Sequence, residues 1–222
     1  MKINIKFHSI LWVVAAMLLS FHITSCSEHI EDWQGNVATG SILLSDNSIV
    51  SSRGYDASRM TAVGVVIGTR ADSIWMVSTK NLGQYAYLDT LMSVSNVSAD
   101  ENALCGIDNT SAILKSERKS PAVGAITHYI SSVKGWALPS IGELRMLSAN
   151  IGTIGKVMEN IGGDAFLTVP YLSSTQDGSS SQTEELYAKC ISLHSGYISS
   201  ILKTDPAQVR PILRMKMNSF NR

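Results

Sequence analysis

A ten-residue apolar run, Ile10 to Leu19, lies between the basic residues Lys2 and Lys6 and the short stretch Ile23-Thr24-Ser25-Cys26. A positive start, a short apolar stretch and a small-residue cleavage site, in that order, are the layout of a secretory signal. The run is too short to cross a bilayer, which takes about 20 apolar residues. Residues 1–25 are therefore expected to be a lipoprotein signal peptide that contributes nothing to the fold. Cys26 is the expected lipidation site, because a thiol there can carry a thioether-linked diacylglycerol. Two or more acyl chains, such as palmitate, anchor a chain stably without a spanning helix. The alternative is an ordinary secretory signal followed by an incidental cysteine.

The leader takes Lys2 and Lys6 with it, so the 18 basic residues become 16 against 18 acidic ones, a net charge of −2. A near-neutral chain offers no electrostatic footprint for nucleic acid and no polybasic membrane patch. The 197 residues that remain are enough for one domain with a substantial core. The expected organisation is a lipidated tether at 26–40 and a single domain at 41–216. Within the tether, Ser27-Glu28-His29-Ile30-Glu31-Asp32 is acidic. It either resembles the export tag of surface lipoproteins in Gram-negative gut anaerobes or is simply a solvated spacer. Beyond Cys26, Cys105 and Cys190 remain. In an oxidising compartment they form either a disulfide or two separate buried thiols.

Strand signals begin at Ser41-Ile42-Leu43-Leu44, followed by turn chemistry at Asp46-Asn47-Ser48. Two β-branched runs, Ala62 to Thr69 and Ile74 to Thr79, flank Arg70-Ala71-Asp72-Ser73 and predict a hairpin. Gly64 and Gly68 inside the first run predict a bulge or close backbone approach. Helical spacing of apolar residues predicts a helix over 121–133, opened by Pro121 and stopped by Gly135. Ser140 and Glu143 form an S-x-x-E capping box ahead of Leu144, Leu147 and Ile151. A further helix carries Ile154, Val157, Met158 and Ile161 and ends at Gly162-Gly163. Strands return at Tyr171 to Thr175, Leu186 to Leu193 and Tyr197 to Lys203, the last two joined by the tight turn His194-Ser195-Gly196. Val209 to Met215 reads as the last strand. Strands, then helices, then strands predict an α+β fold with a mainly antiparallel sheet and two or three helices in the middle of the chain.

Taken together, Asn109-Thr110, Trp136-Ala137-Leu138-Pro139-Ser140, Glu143-Leu144, Ile161-Gly162-Gly163, Leu172-Ser173-Ser174-Thr175-Gln176, Tyr187-Ala188, Ser195-Gly196, Lys203 and Val209-Arg210-Pro211 carry a family resemblance. Their order resembles the C-terminal domain of collagen-like bacterial adhesins. It is similar also to the major-paralogous-domain surface proteins that border the formylglycine-generating-enzyme superfamily. The segments Leu43 to Ser48 and Ala62 to Val66 resemble the entry strand pair of those proteins, so the likeness runs from about residue 42 to 214. It implies a C-type-lectin-like fold that presents loops to glycans, to host proteins or to phage proteins. The chain departs from that pattern where family members often carry Trp, at Tyr171 or Leu172 and at Tyr187. It also lacks the calcium-binding Glu-Pro-Asn and Trp-Asn-Asp tripeptides of true C-type lectins.

A triad can be drawn from His194, Ser195 and either Asp205 or Asp177, but no Gly-x-Ser-x-Gly nucleophile elbow accompanies it, and His, Ser and Gly are ordinary turn residues. The cysteines do not match the reactive pair of formylglycine-type oxidases. The histidines show no H-x-x-x-H spacing and no C-x-x-C occurs, so neither metal nor cofactor is expected. Glu184-Glu185 reads as a solvated pair. Trp136 is expected in the core beneath the capped helix, and Arg210 is expected to pair with a buried acid such as Glu143.

The resulting expectation is a non-enzymatic surface lipoprotein anchored in the outer membrane, facing outward or into the periplasm. Tyr171, Ser173, Ser174, Gln176, Tyr187 and Tyr197 are its candidate ligand contacts. Such Ser, Gln and Tyr content suits adaptable hydrogen bonding and stacking. A structural subunit of a surface fibre or envelope complex is the second expectation, and a hydrolytic enzyme the third.

Overall fold

The computed structural model describes residues 37–217. The leader, Cys26 and most of the tether lie outside the described residues. Among the described residues, two five-stranded sheets and five helices make a mixed α+β fold. The first sheet contains β1 (Ile42–Leu44), β2 (Ile49–Val50), β3 (Ala62–Arg70), β4 (Ser73–Ser78) and β10 (Ile212–Lys216), in the order β10-β4-β3-β1-β2. The second contains β5 (Gly83–Ala86), β6 (Tyr171–Gln176), β7 (Tyr187–Ser192), β8 (Tyr197–Leu202) and β9 (Pro206–Val209), in the order β5-β9-β6-β7-β8. All pairings are antiparallel except β6 with β9. The helices are α1 (Gly106–Lys115), α2 (Pro121–Thr127), α3 (Ile141–Ala149), α4 (Ile151–Asn160) and α5 (Ser181–Leu186).

The expected hairpin is β3–β4. Its register brings Arg70 opposite Ser73, so the four-residue break shrinks to a two-residue turn with Ala71 at φ 51°. The pairing slips between Val66 and Gly68, which is the expected bulge. A Cβ on Gly68 would sit 2.7 Å from the sulfur of Met146, so the missing side chain lets α3 approach the strand. Alternation along β3 and β4 sends Val65, Ile67, Trp75 and Val77 into one core with Leu144, Leu147, Ile154 and Met158. Val66, Ile74 and Met76 point to the opposite face, where Val133 and Leu213 cover them. The middle of this sheet is therefore buried on both faces. The second sheet packs Leu172, Ala188 and Val209 against Ile113 of α1 and Val123 and Ile126 of α2.

Several expectations change. The antiparallel strands form two sheets rather than one. The predicted last strand breaks at Arg210-Pro211, where the chain leaves β9 in the second sheet and enters β10 in the first. The helix expected over 121–133 stops at Thr127. His128 Nδ1 turns back onto the Gly124 carbonyl at 2.7 Å, and the Tyr129 hydroxyl engages Ser78 Oγ at 2.8 Å, so the chain is drawn to β4 instead of continuing to wind. Ile130 ends 95% exposed. Trp136 is half-buried rather than fully in the core, with its indole N–H donating to the Val133 carbonyl at 3.0 Å. The helices α1 and α5 and the strand β5 were not anticipated.

The capping box on α3 is present: Ser140 accepts from the Glu143 amide, and Glu143 accepts from the Ser140 amide at 2.8 Å. α4 ends on Gly162 at φ 68°, as the Gly-Gly signal predicts.

Candidate functional site: a glycine-floored groove beside the β7–β8 turn

The expected contact residues divide sharply. β6 is the central strand of its sheet, and Tyr171, Ser173, Ser174 and Gln176 are all buried. The Tyr171 hydroxyl accepts from the Leu167 amide at 2.9 Å and donates to Asn81 Oδ1 at 3.3 Å. Ser173 Oγ donates to the Lys189 carbonyl, and Ser174 Oγ accepts from Asn109. Gln176 Oε1 accepts from the Val94 amide at 2.8 Å, and its Nε2 donates to the Val94 carbonyl at 3.0 Å. These four side chains hold surrounding loops to the sheet and present no surface. Their polarity reflects internal partners, since buried polar groups need them. Tyr187 is half-buried at the start of β7, and Tyr197, on the edge strand β8, is 69% exposed.

Of the two alternatives left open for the remaining cysteines, the fold has separate free thiols: Cys105 is half-buried and Cys190 is buried. Cys190 lies within β7 with Sγ 3.2 Å from Ser199 Oγ, and Cys105 occupies the N-cap of α1. Burial pushes both thiols up. Arg210 does not pair with Glu143. Its Nε donates to the Ser78 carbonyl at 2.9 Å, its Nη1 to the Asp164 carbonyl at 2.9 Å, and its guanidinium lies 4.1 Å from the Phe166 ring centre. Glu143 instead accepts from Trp75 Nε1 at 3.1 Å and from the Gly106 amide at 3.3 Å, besides its cap bond. Burial raises its pKa.

The drawn triad is dispersed into local structure. Ser195 Oγ caps its own turn, bonding the Ser192 carbonyl and the Tyr197 amide. Asp177 is held by Ser179, Ser200 and Lys189. Burial opposes the Asp177 charge, but those hydrogen bonds outweigh it and hold the carboxyl down at about 2.

A groove of about 580 Å3 opens elsewhere, lined by Gly152, Gly155, Lys156 and Glu159 of α4, Phe166 of the following loop and His194 of the β7–β8 turn. That volume is in the range of small-ligand sites. Each boundary has a local cause. α4 buries Ile154, Val157 and Met158, which turns Gly152, Gly155, Lys156 and Glu159 outward. Arg210 backs the Phe166 ring, which in turn walls the groove. Ser148 Oγ donates to the Leu193 carbonyl at 2.6 Å and seats the turn that carries His194.

The floor is unusual. A Cβ on Gly152 or Gly155 would meet nothing within 4 Å, so neither glycine is needed for close packing. Gly155, in the interior of the helix, nevertheless costs roughly 1 kcal/mol relative to alanine. The groove thus combines an open floor, one aromatic wall and a rim of ammonium, carboxylate and imidazole groups. Chemically that suits a small ligand with an apolar face and hydrogen-bonding edges. The glycine pair in Ile151-Gly152-Thr153-Ile154-Gly155 was the available sequence signal, and helical periodicity alone passed over it.

No protein-family model matches the chain, and no curated protein shows significant sequence similarity to it.

Proposed function

We propose that this protein is an exported, lipid-anchored, non-enzymatic binding protein of the outer membrane, and that the groove on α4 receives its ligand. The observation that carries the reading is the pair of helix glycines that packing does not require and that keep the groove open below Phe166. The leader and Cys26 support the exported, membrane-tethered part of the reading. The finer fold assignment, a C-type-lectin-like domain, rests on the sequence resemblance and on the α+β arrangement. A sugar ring is the ligand class that best matches an aromatic wall beside charged hydrogen-bonding groups. Soluble residues 27–222 are expected to bind selectively on a glycan and host-matrix array, and Gly155→Leu, which fills the floor, is expected to abolish the signal. Binding unaffected by Gly155→Leu would rule the groove out.

The second reading, a structural subunit of a surface fibre or envelope complex, is favoured by β8. This edge strand, Tyr197–Leu202, carries no charged residue and no proline, the usual devices that prevent edge pairing. Co-purification with envelope proteins, together with a blank array, would select it.

A further inference from the structure

The first sheet has two unlike faces. One is covered by α3 and α4, which bring Leu144, Leu147, Ile154 and Met158 onto it. The other has no helix in its apolar cluster. Leu43, Val66 and Met76 are buried there, but Val37, Trp136, Met215 and Met217, which pack against them, stay partly exposed.

The segment between α2 and α3 runs over this second face. It is fixed at two points. The Tyr129 hydroxyl meets Ser78 Oγ at 2.8 Å, and the buried Val133 accepts from Trp136 Nε1 at 3.0 Å through its carbonyl. Between these anchors Ile130 is 95% exposed. Lys134, also exposed, donates from Nζ to the Ser131 carbonyl at 3.0 Å. A branched apolar side chain is thus held in solvent on a braced tip, with an ammonium close by in the chain. In water that exposure is unfavourable. At a bilayer interface it is not, because an apolar side chain enters the acyl boundary while a lysine keeps its charge among the headgroups.

The chain outside the described residues selects the occupant. Val37, where the description begins, packs against the same cluster as Val133. Residues 27–36 link it to Cys26, and fully extended this link reaches at most about 40 Å. Lipid on Cys26 therefore holds the domain from the face that carries the Ile130 tip. The groove residues Gly152, Gly155 and Lys156 lie on the far side, on the outward surface of α4.

We propose that this face of the first sheet docks on the bilayer, with Ile130 inserted at the boundary between headgroups and acyl chains, so that the groove on α4 is turned away from the membrane. The inference rests on the reading of Cys26 as the lipid anchor. One isoleucine and one lysine bind lipid weakly by themselves. Tethering makes their contact intramolecular and raises its effective concentration.

The mature lipoprotein, purified from membranes and reconstituted into phosphatidylethanolamine–phosphatidylglycerol vesicles with brominated acyl chains, tests this. Ile130→Trp adds a fluorophore at the tip, and Asn160→Trp adds one at an exposed position of α4. With the wild-type emission subtracted, the Ile130→Trp signal is expected to be blue-shifted and largely quenched by bromine, and the Asn160→Trp signal to be unaffected. Equal quenching at both positions, or none at either, would overturn the proposal. A blue shift at Ile130→Trp without quenching would mean that protein, such as a second copy of this chain, covers the tip, and would also overturn it. Intact mass separates the docking face from the anchor. Lipid mass on Cys26 with an unquenched Ile130→Trp removes the docking face alone, whereas a mass without lipid removes both.

Discussion

Arg210 fills a position that no other side chain can take without loss. Its donors satisfy the carbonyls of Ser78 and Asp164, and its plane supports Phe166. Arg210→Ala is expected to destabilise the protein by about 3 kcal/mol, because buried carbonyls lose their partner and a cavity opens. Urea unfolding measures this, and an unchanged midpoint would exclude the structural role. Asp177 gives a pH signature. Its carboxyl titrates near 2 in the folded protein against an ordinary 3.8, so the charged form is stabilised by folding. That contribution is complete above about pH 4 and is lost as pH falls toward about 2. Unfolding free energies measured across this window are expected to fall in wild type and to fall less in Asp177→Asn; equal slopes would refute the assignment. At this scale the sequence was partly legible. Ser140 and Glu143 could be read because a capping box is local. The partners of Arg210 could not, because Ser78 and Asp164 are brought to it by tertiary folding.

The helices differ in how much of them neighbouring residues determine. α3 and the end of α4 follow from their own caps. α2 stops early because Tyr129 finds Ser78, a contact 51 residues away. α1 was overlooked because its first residue is a glycine whose reason is tertiary. A Cβ on Gly106 would overlap Glu143 Oε2 and sit 2.7 Å from the Leu138 carbonyl. Gly106→Ala is therefore expected to cost about 2–3 kcal/mol despite alanine's better helix propensity. Thermal unfolding checks the sign, and a stabilised variant would contradict the close approach. β6 lies where the sequence predicts a strand, but its Ser-Ser-Thr-Gln content suggests ligand contacts, whereas it occupies the centre of a sheet and α1, α3, β7 and the loop at Val94 supply a partner for each polar group.

For the whole molecule, the α+β class and the antiparallel hairpins were legible from alternation and turn residues. The division into two sheets was not, because it depends on β10 returning to pair with β4 and on β9 joining β6 and β5, pairings that join distant parts of the chain. Arg210-Pro211 is where the two sheets are stitched together, and the same arginine backs the aromatic wall of the groove. The groove is thus a product of the assembled fold: a helix face and the loop that follows it, met by a hairpin turn that lies about 30 residues further along the chain. The central claim is that ligand enters there. Isothermal titration of an array-selected ligand into the mature protein and into Gly155→Leu tests it most directly. The account predicts at least a tenfold weaker Kd for the variant, a loss of about 1.4 kcal/mol or more, with its thermal unfolding preserved. Equal affinity in a folded Gly155→Leu protein would contradict it.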